Sequence, residues 1–227
     1  MIKSIITTLI FLALIHRGTT AQNNDDFRTR TGIELSKDLR NGFQLGLQYQ
    51  VRTFNNASSF QGSYFTISPS YRINNSWSTQ LDIRYATSKL WDRFRFAYYI
   101  NAQHKVNKVK YSFRVGYLHE IYLQEFSDID QFVPTNNFRA RLRIDQKIFK
   151  KTKVLAGVEP VISLNNQSLS LRQFRNTLGL NWEFAKNNEL SVEYMWQPFF
   201  RQTYQNSNHS IIVNYTINIP KLKKKKK

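Results

Sequence analysis

The sequence predicts an all-β protein: an antiparallel, up-and-down transmembrane β-barrel of about 10–12 strands. Three observations predict it. In Phe138 to Ile148 (F-R-A-R-L-R-I-D-Q-K-I), Phe138, Ala140, Leu142, Ile144 and Ile148 share one parity, while Arg139, Arg141, Arg143, Asp145 and Lys147 share the other. Successive strand side chains point to opposite faces, so this stretch has one apolar and one charged face, which a helix would mix. The same two-faced pattern recurs in about eleven runs between Phe27 and Ile219, with no helical period between them. Aromatic residues also crowd the ends of those runs, as the two girdles of a membrane barrel require.

The elements follow in order. Residues 1–21 read as a secretory signal peptide: Lys3 supplies a positive start, Ile5 to Ile15 an apolar core, and Thr19-Thr20-Ala21 a small-residue cleavage site. The barrel is expected within 22–220. Phe27 to Leu35 opens it, and Gly42 to Arg52 follows with Phe43, Leu45, Leu47, Tyr49 and Val51 on one face. Tyr64 to Ile73 and Trp77 to Tyr85 are joined by Asn74-Asn75-Ser76, a compact hairpin signal. Arg93 to Gln103 sets Phe94, Phe96, Tyr98 and Ile100 against Arg93 and Arg95; Lys110 to Tyr122 sets Tyr111, Phe113, Val115 and Tyr117 against Arg114 and Glu120. Phe138 to Ile148 turns into Val154 to Leu164, where Pro160 weakens the pattern because proline cannot donate to a ladder. Gln173 to Phe184, Leu190 to Trp196 and His209 to Ile219 complete the series. Turns such as Lys37 to Asn41 and Lys150 to Lys153 alternate with longer segments, among them Leu123 to Asn137 and Phe199 to Asn208. Short turns at one rim and longer loops at the other fit a barrel of this class. An odd number of strands sends the first and last in the same direction, an arrangement unlike the even-numbered bacterial pattern.

Composition narrows the chemistry. With 227 residues, the chain suits one domain; without cysteine it forms no disulfide, thiolate metal site or lipid-modified N-terminal cysteine. A mean hydropathy of -0.50 does not oppose a membrane barrel, whose alternation averages out its lipid-facing half. The net charge of +18 would suggest nucleic acid in a cytoplasmic protein, but the leader argues against that partner. Residues 221–227, with Lys221 and Lys223 to Lys227, form a lysine-rich tail expected to repel itself into disorder.

A soluble ligand-binding barrel with its apolar side inward would alternate in the same way. Long strands, the aromatic ends and mixed charges on the polar faces favour the membrane form. The girdles are expected at Tyr71, Trp77, Tyr111, Trp182 and Phe184 beside the turns. At the loops they are expected at Tyr49, Phe94, Tyr122, Phe138, Trp196 and Phe199. Four motifs are then informative: D-F-R-T-R-T-G-I-E-L-S-K from Asp26, S-Y-R-I-N-N-S-W from Ser70, N-F-R-A-R-L-R-I from Asn137, and G-L-N-W-E-F-A-K-N-N-E-L-S-V-E-Y from Gly179. In these the chain resembles an uncharacterised outer-membrane β-barrel family, a domain-of-unknown-function family common in Bacteroidetes-type bacteria. The resemblance covers nearly the whole mature chain. It implies the fold and an outer-membrane location and brings no activity or catalytic residue.

The candidate interior is basic. Arg93, Arg95, Arg139, Arg141, Arg143 and Lys147, joined by Arg28 and Arg30, are the candidate lumen-lining, anion-binding residues. The favoured reading pairs these cations with Glu34, Asp82, Glu120, Asp145, Glu159, Glu183 and Glu193, since buried charges need partners. That leaves a lumen largely closed, with at most a narrow path for small anionic solutes. His119 lies on an apolar parity near a rim and could serve a lipid hydrolase, but H-E-I-Y is no hydrolase signature and its strand offers no serine on that parity. Glu125, Asp128 and Asp130 lack calcium-loop spacing. The expectation is therefore a non-enzymatic outer-membrane barrel in contact with lipid, without catalytic residues, metal, cofactor or nucleic-acid partner. A lipid-modifying enzyme and a soluble periplasmic binding barrel are the alternatives.

Overall fold

The computed structural model describes residues 25–88, 91–124, 131–165, 168–198 and 207–220. The proposed leader, the loop acids Glu125, Asp128 and Asp130, Phe199 and the lysine tail lie outside these residues. Among the described residues every regular element is a strand: β1 (Asp26–Asp38), β2 (Phe43–Phe54), β3 (Ser59–Arg72), β4 (Trp77–Thr87), β5 (Trp91–Val106), β6 (Val109–Gln124), β7 (Gln131–Phe149), β8 (Thr152–Asn165), β9 (Ser168–Ala185), β10 (Asn188–Pro198) and β11 (Ser207–Ile219). Each matches one alternating run in the sequence. Several reach further than the alternation does. β7 starts at Gln131, inside the segment expected as a loop, because Q-F-V-P-T-N-N continues the ladder without a binary pattern.

The strands close into one barrel in which each pairs with its sequence neighbours and β1 meets β11. Ten pairings are antiparallel. The closing pair is parallel, running from Asp26 opposite Asn208 to Lys37 opposite Ile219. This resolves the odd count: eleven strands that go up and down in turn bring the first and last side by side in the same direction. A one-residue slip at this seam would turn every side chain of a strand to the wrong face, so the shared parity of Ile33 with Tyr215 and of Leu35 with Ile217 specifies the register.

The two faces are inverted relative to a soluble protein. On β5, Phe94, Phe96, Tyr98 and Ile100 are exposed, whereas Arg95, Ala97 and Tyr99 are buried, Arg95 being only 5% exposed. On β7, Phe138, Leu142 and Ile144 are exposed. An apolar belt around a charged interior is stable in hydrocarbon and not in water, because closure satisfies the backbone while the belt meets lipid tails. This excludes the apolar-inward soluble barrel and defines the transmembrane form.

Aromatic contacts mark the rims. Phe43 and Tyr71 lie 4.8 Å apart, and Trp182, Phe184 and Tyr215 form a chain of ring contacts beside the tight turns. Tyr85 and Phe94 meet at 4.9 Å at the loop rim. Tyr122 departs from the expected girdle. Its even position on β6 turns it inward, where Arg93 Nη1 donates to its hydroxyl at 3.1 Å.

The turn chemistry is local. Asn74 Oδ1 accepts from the backbone N–H groups of Ser76 and Trp77, each at 2.8 Å, which closes the predicted hairpin. Asn107 and Asn187 take positive φ in two-residue connections, a conformation asparagine tolerates better than most residues. Pro160 sits beside the register shift between Val161 and Ile162, a place where a sheet accommodates proline.

Candidate functional site

Fold and parity send the polar sets of all eleven strands into the interior, where they separate into two tiers. In the half nearer the loops stand Arg30 on β1, Arg52 on β2, Arg84 on β4, Arg93 and Arg95 on β5, Arg139 on β7 and Arg175 on β9. Among the described residues, two glutamates stand against these seven arginines. Glu120 approaches Arg93 at 3.8 Å and Arg95 at 4.0 Å. Glu159 approaches Arg175 at 2.7 Å and Arg139 at 3.8 Å. Each glutamate bridges neighbouring strands because register places it there: Glu120 is opposite Arg95, and Glu159 is opposite Arg175.

The half nearer the tight turns has the opposite balance. It holds Glu34, Asp82, Asp145, Glu189 and Glu193 with Arg114, Arg141 and Arg143. Arg143 contacts Asp145 at 2.9 Å and Glu193 at 3.5 Å. Glu34 accepts from Asn214 at 3.5 Å, and Asp82 accepts from Ser68 and Gln80 at 2.7 and 2.6 Å. Asn181 donates to Glu189. Glu183 is exposed and takes no part. The expected pairing is therefore realised at Glu120, Asp145, Glu159 and Glu193. Among the described residues, Glu34 and Asp82 are satisfied by neutral donors and make no ion pair.

The arginines left over concentrate on one wall. Arg30 faces Arg52 directly across the β1–β2 ladder. The Arg52 guanidinium lies 3.9 Å from the Tyr64 ring centre on β3, with those of Arg93 and Arg84 at 5.8 and 6.0 Å. Arg52 Nε donates to Gln50 Oε1 at 2.7 Å, and Arg84 Nε donates to Thr66 Oγ1 at 2.8 Å. Neither these two nor Arg30 makes an ion pair with any described residue. A bulge lies beside Arg52: Arg52 pairs with Gly62 but Thr53 with Phe60, so Gln61 is an extra residue in β3. A Cβ on Gly62 would lie 2.4 Å from the Thr87 carbonyl oxygen, so only glycine permits this approach.

The sequence-based candidates are thus placed as follows. Arg93, Arg95 and Arg139 lie in the loop-side tier, while Arg141 and Arg143 lie in the turn-side tier. Lys147 is exposed at the end of β7, opposite Lys153, and stands apart from both. Arg28 is tied to Asp26 at 2.5 Å near the rim. Arg52, Arg84 and Arg175 were not among the candidates, although each occupies a polar parity; the usable signal was an arginine on the same parity as Gln50, Asp82 or Thr177.

The inner wall is not wholly polar. Ala97, Tyr99 and Leu118 pack into a buried apolar cluster, and Leu155, Val161 and Met195 are also buried. Tyr99 fits only because residue 116 is glycine: a Cβ there would lie 2.1 Å from its ring. Arg114 stacks over the same ring at 4.9 Å.

On the outer surface, His119 Nδ1 lies 2.8 Å from Asn136 Oδ1, to which the Tyr117 hydroxyl also donates at 2.8 Å. Among the described residues no serine hydroxyl bonds to His119, and no group of three His, Asp or Glu side chains could hold a metal ion.

Fold and interior together define a transmembrane β-barrel with a charge-tiered, arginine-rich lumen. Residues 27–208 match the family described as "Protein of unknown function (DUF2490)", and the chain belongs to that family. No curated protein matches the sequence. Among solved structures the chain is similar to one titled "KdgM porin", at 15% identity and a TM-score of 0.46, over 76% of this chain and 89% of that one.

Proposed function

We propose that the protein is a non-enzymatic barrel of the bacterial outer membrane, whose interior forms a narrow, anion-preferring path for small solutes. The apolar belt supports the membrane, and the leader supports export. The observation that carries the preference is the loop-side tier, where seven arginines meet two glutamates. Loops of such barrels face the exterior, so the excess positive charge stands at the outer entrance and raises the local anion concentration there. Eleven strands make a lumen wider than an eight-stranded barrel and far narrower than the 16–18 strands of open porins. Long side chains from facing walls then occupy much of its cross-section and keep the conductance small.

The proposal is tested by fractionation and by planar-bilayer recording. The expected protein is heat-modifiable, extracted from outer membranes only by detergent, and gives small unitary currents. Recovery free in the periplasm would refute the location, and large, weakly selective, salt-proportional currents would refute the narrow lumen.

A further inference from the structure

The wall formed by β1 to β4 gathers positive charge that no described carboxylate meets at ion-pair distance. Arg30, Arg52 and Arg84 have no carboxylate partner among the described residues, and Arg30 has no hydrogen-bonding side-chain partner there either. Their like charges repel across short distances, so their convergence costs stability unless another group offsets it. Tyr64 packs against Arg52 and Arg84 without doing so. A ring face attracts a guanidinium but removes no charge, and it leaves the N–H edge free. Gln50 and Thr66 occupy Nε of Arg52 and Arg84, which fixes each plane and leaves the terminal amino groups for a ligand. Two further features border the site: the bulge at Gln61, next to the Arg52–Gly62 pair, and the close approach of Gly62 to the Thr87 carbonyl.

We propose that Arg52 and Arg84, which flank the Tyr64 ring, and Arg30, opposite Arg52, form a binding site for a tetrahedral oxyanion of the phosphate or sulfate class. The inference rests on the reading that solute anions reach the interior. Guanidinium forks match the oxygen edges of such anions, and a dianion offsets more of the triad's charge than chloride does. The anion is either free in solution or carried as a substituent on a small polar solute; the site recognises the same group in both.

The test uses the full chain in detergent and follows its heat-unfolding midpoint in inorganic phosphate, in glucose 6-phosphate, or in chloride at matched ionic strength. Inorganic phosphate is expected to raise the midpoint saturably, with chloride far less effective. A larger response to glucose 6-phosphate would identify a carried group, and a larger response to inorganic phosphate the free ion. The double substitution Arg52→Gln/Arg84→Gln is expected to raise the midpoint in chloride, because repulsion is relieved. It should also increase the phosphate concentration needed for half the shift by roughly tenfold or more, as lost charge-assisted hydrogen bonds imply. Lys105→Gln, at the exposed turn rim, should leave the response unchanged. Should the double variant fail to fold, Arg30→Gln alone is expected to weaken the response in the same direction. An equal phosphate response in the wild type and the arginine variants would overturn the site, as would no phosphate response beyond that to chloride. Bilayer currents are read separately: phosphate binding without conductance removes the channel and leaves the site, while conductance without a specific response does the reverse.

Discussion

The guanidinium carbon of Arg52 lies 3.9 Å from the centre of the Tyr64 ring. Tyr64, itself almost wholly buried, thereby joins β2 to arginines that arrive from β4 and β5. The relationship explains how an interior can gather like charges without matching carboxylates. Each cation keeps its charge while its apolar plane is packed.

Replacing Tyr64 with leucine keeps an apolar, smaller side chain and removes the ring quadrupole. The expected loss is about 1–2 kcal/mol, measured as a lower denaturant midpoint for the lipid-reconstituted barrel. An unchanged midpoint would contradict a stabilising role for the ring.

Glu159→Gln strands Arg139 and Arg175 at once, since both rely on that carboxylate. Breaking a buried pair from one side costs about 3–5 kcal/mol, so the folded, heat-modifiable fraction should fall clearly. The same change adds net positive charge to the loop-side tier and should strengthen any anion preference. A more stable variant would contradict the pairing.

Gly116→Ala places a methyl group against the Tyr99 ring. Overpacking of this kind typically costs about 1–3 kcal/mol. Gly116→Ala combined with Tyr99→Ala should recover part of the loss, a rescue measurable as refolding yield into detergent.

These interior relationships were only partly legible in the sequence. The period of two sent Arg93, Arg95, Arg139, Arg141 and Arg143 to the polar face because parity depends on the strand alone. The count of about eleven strands came from the same pattern. Which carboxylate meets which arginine depends on register between strands, and register is not written in one strand's alternation. Glu120 could thus be named as a partner without assigning it to Arg93 and Arg95. The parallel seam follows from an odd count, yet its register emerges only on closure. Arg52 falls on the polar parity with Gln50, but its place beside Tyr64 and opposite Arg30 depends on the pairing of three strands, which one strand's alternation does not carry. Tyr99, Ala97 and Leu118 escaped notice because apolar residues on the inner parity look like breaks in the pattern, when they are the packing that seats Gly116.

Which face meets lipid can be tested by moving one charge by one residue. Leu142→Arg puts a charge on the exposed belt and should cost about 2–4 kcal/mol near the bilayer midplane. Arg141→Leu alters the interior wall instead and should still fold into bilayers. If Leu142→Arg inserted normally and Arg141→Leu did not, the assigned faces would be reversed.

The most direct measurement is the reversal potential of single barrels in a planar bilayer under a potassium chloride gradient. Excess arginine in the loop-side tier predicts a potential shifted toward that of chloride, and Arg52→Ser/Arg84→Ser, which removes two of its arginines without breaking an ion pair, should enlarge the current and move the potential toward zero. A wild-type potential at zero, or one shifted toward potassium, would contradict the account.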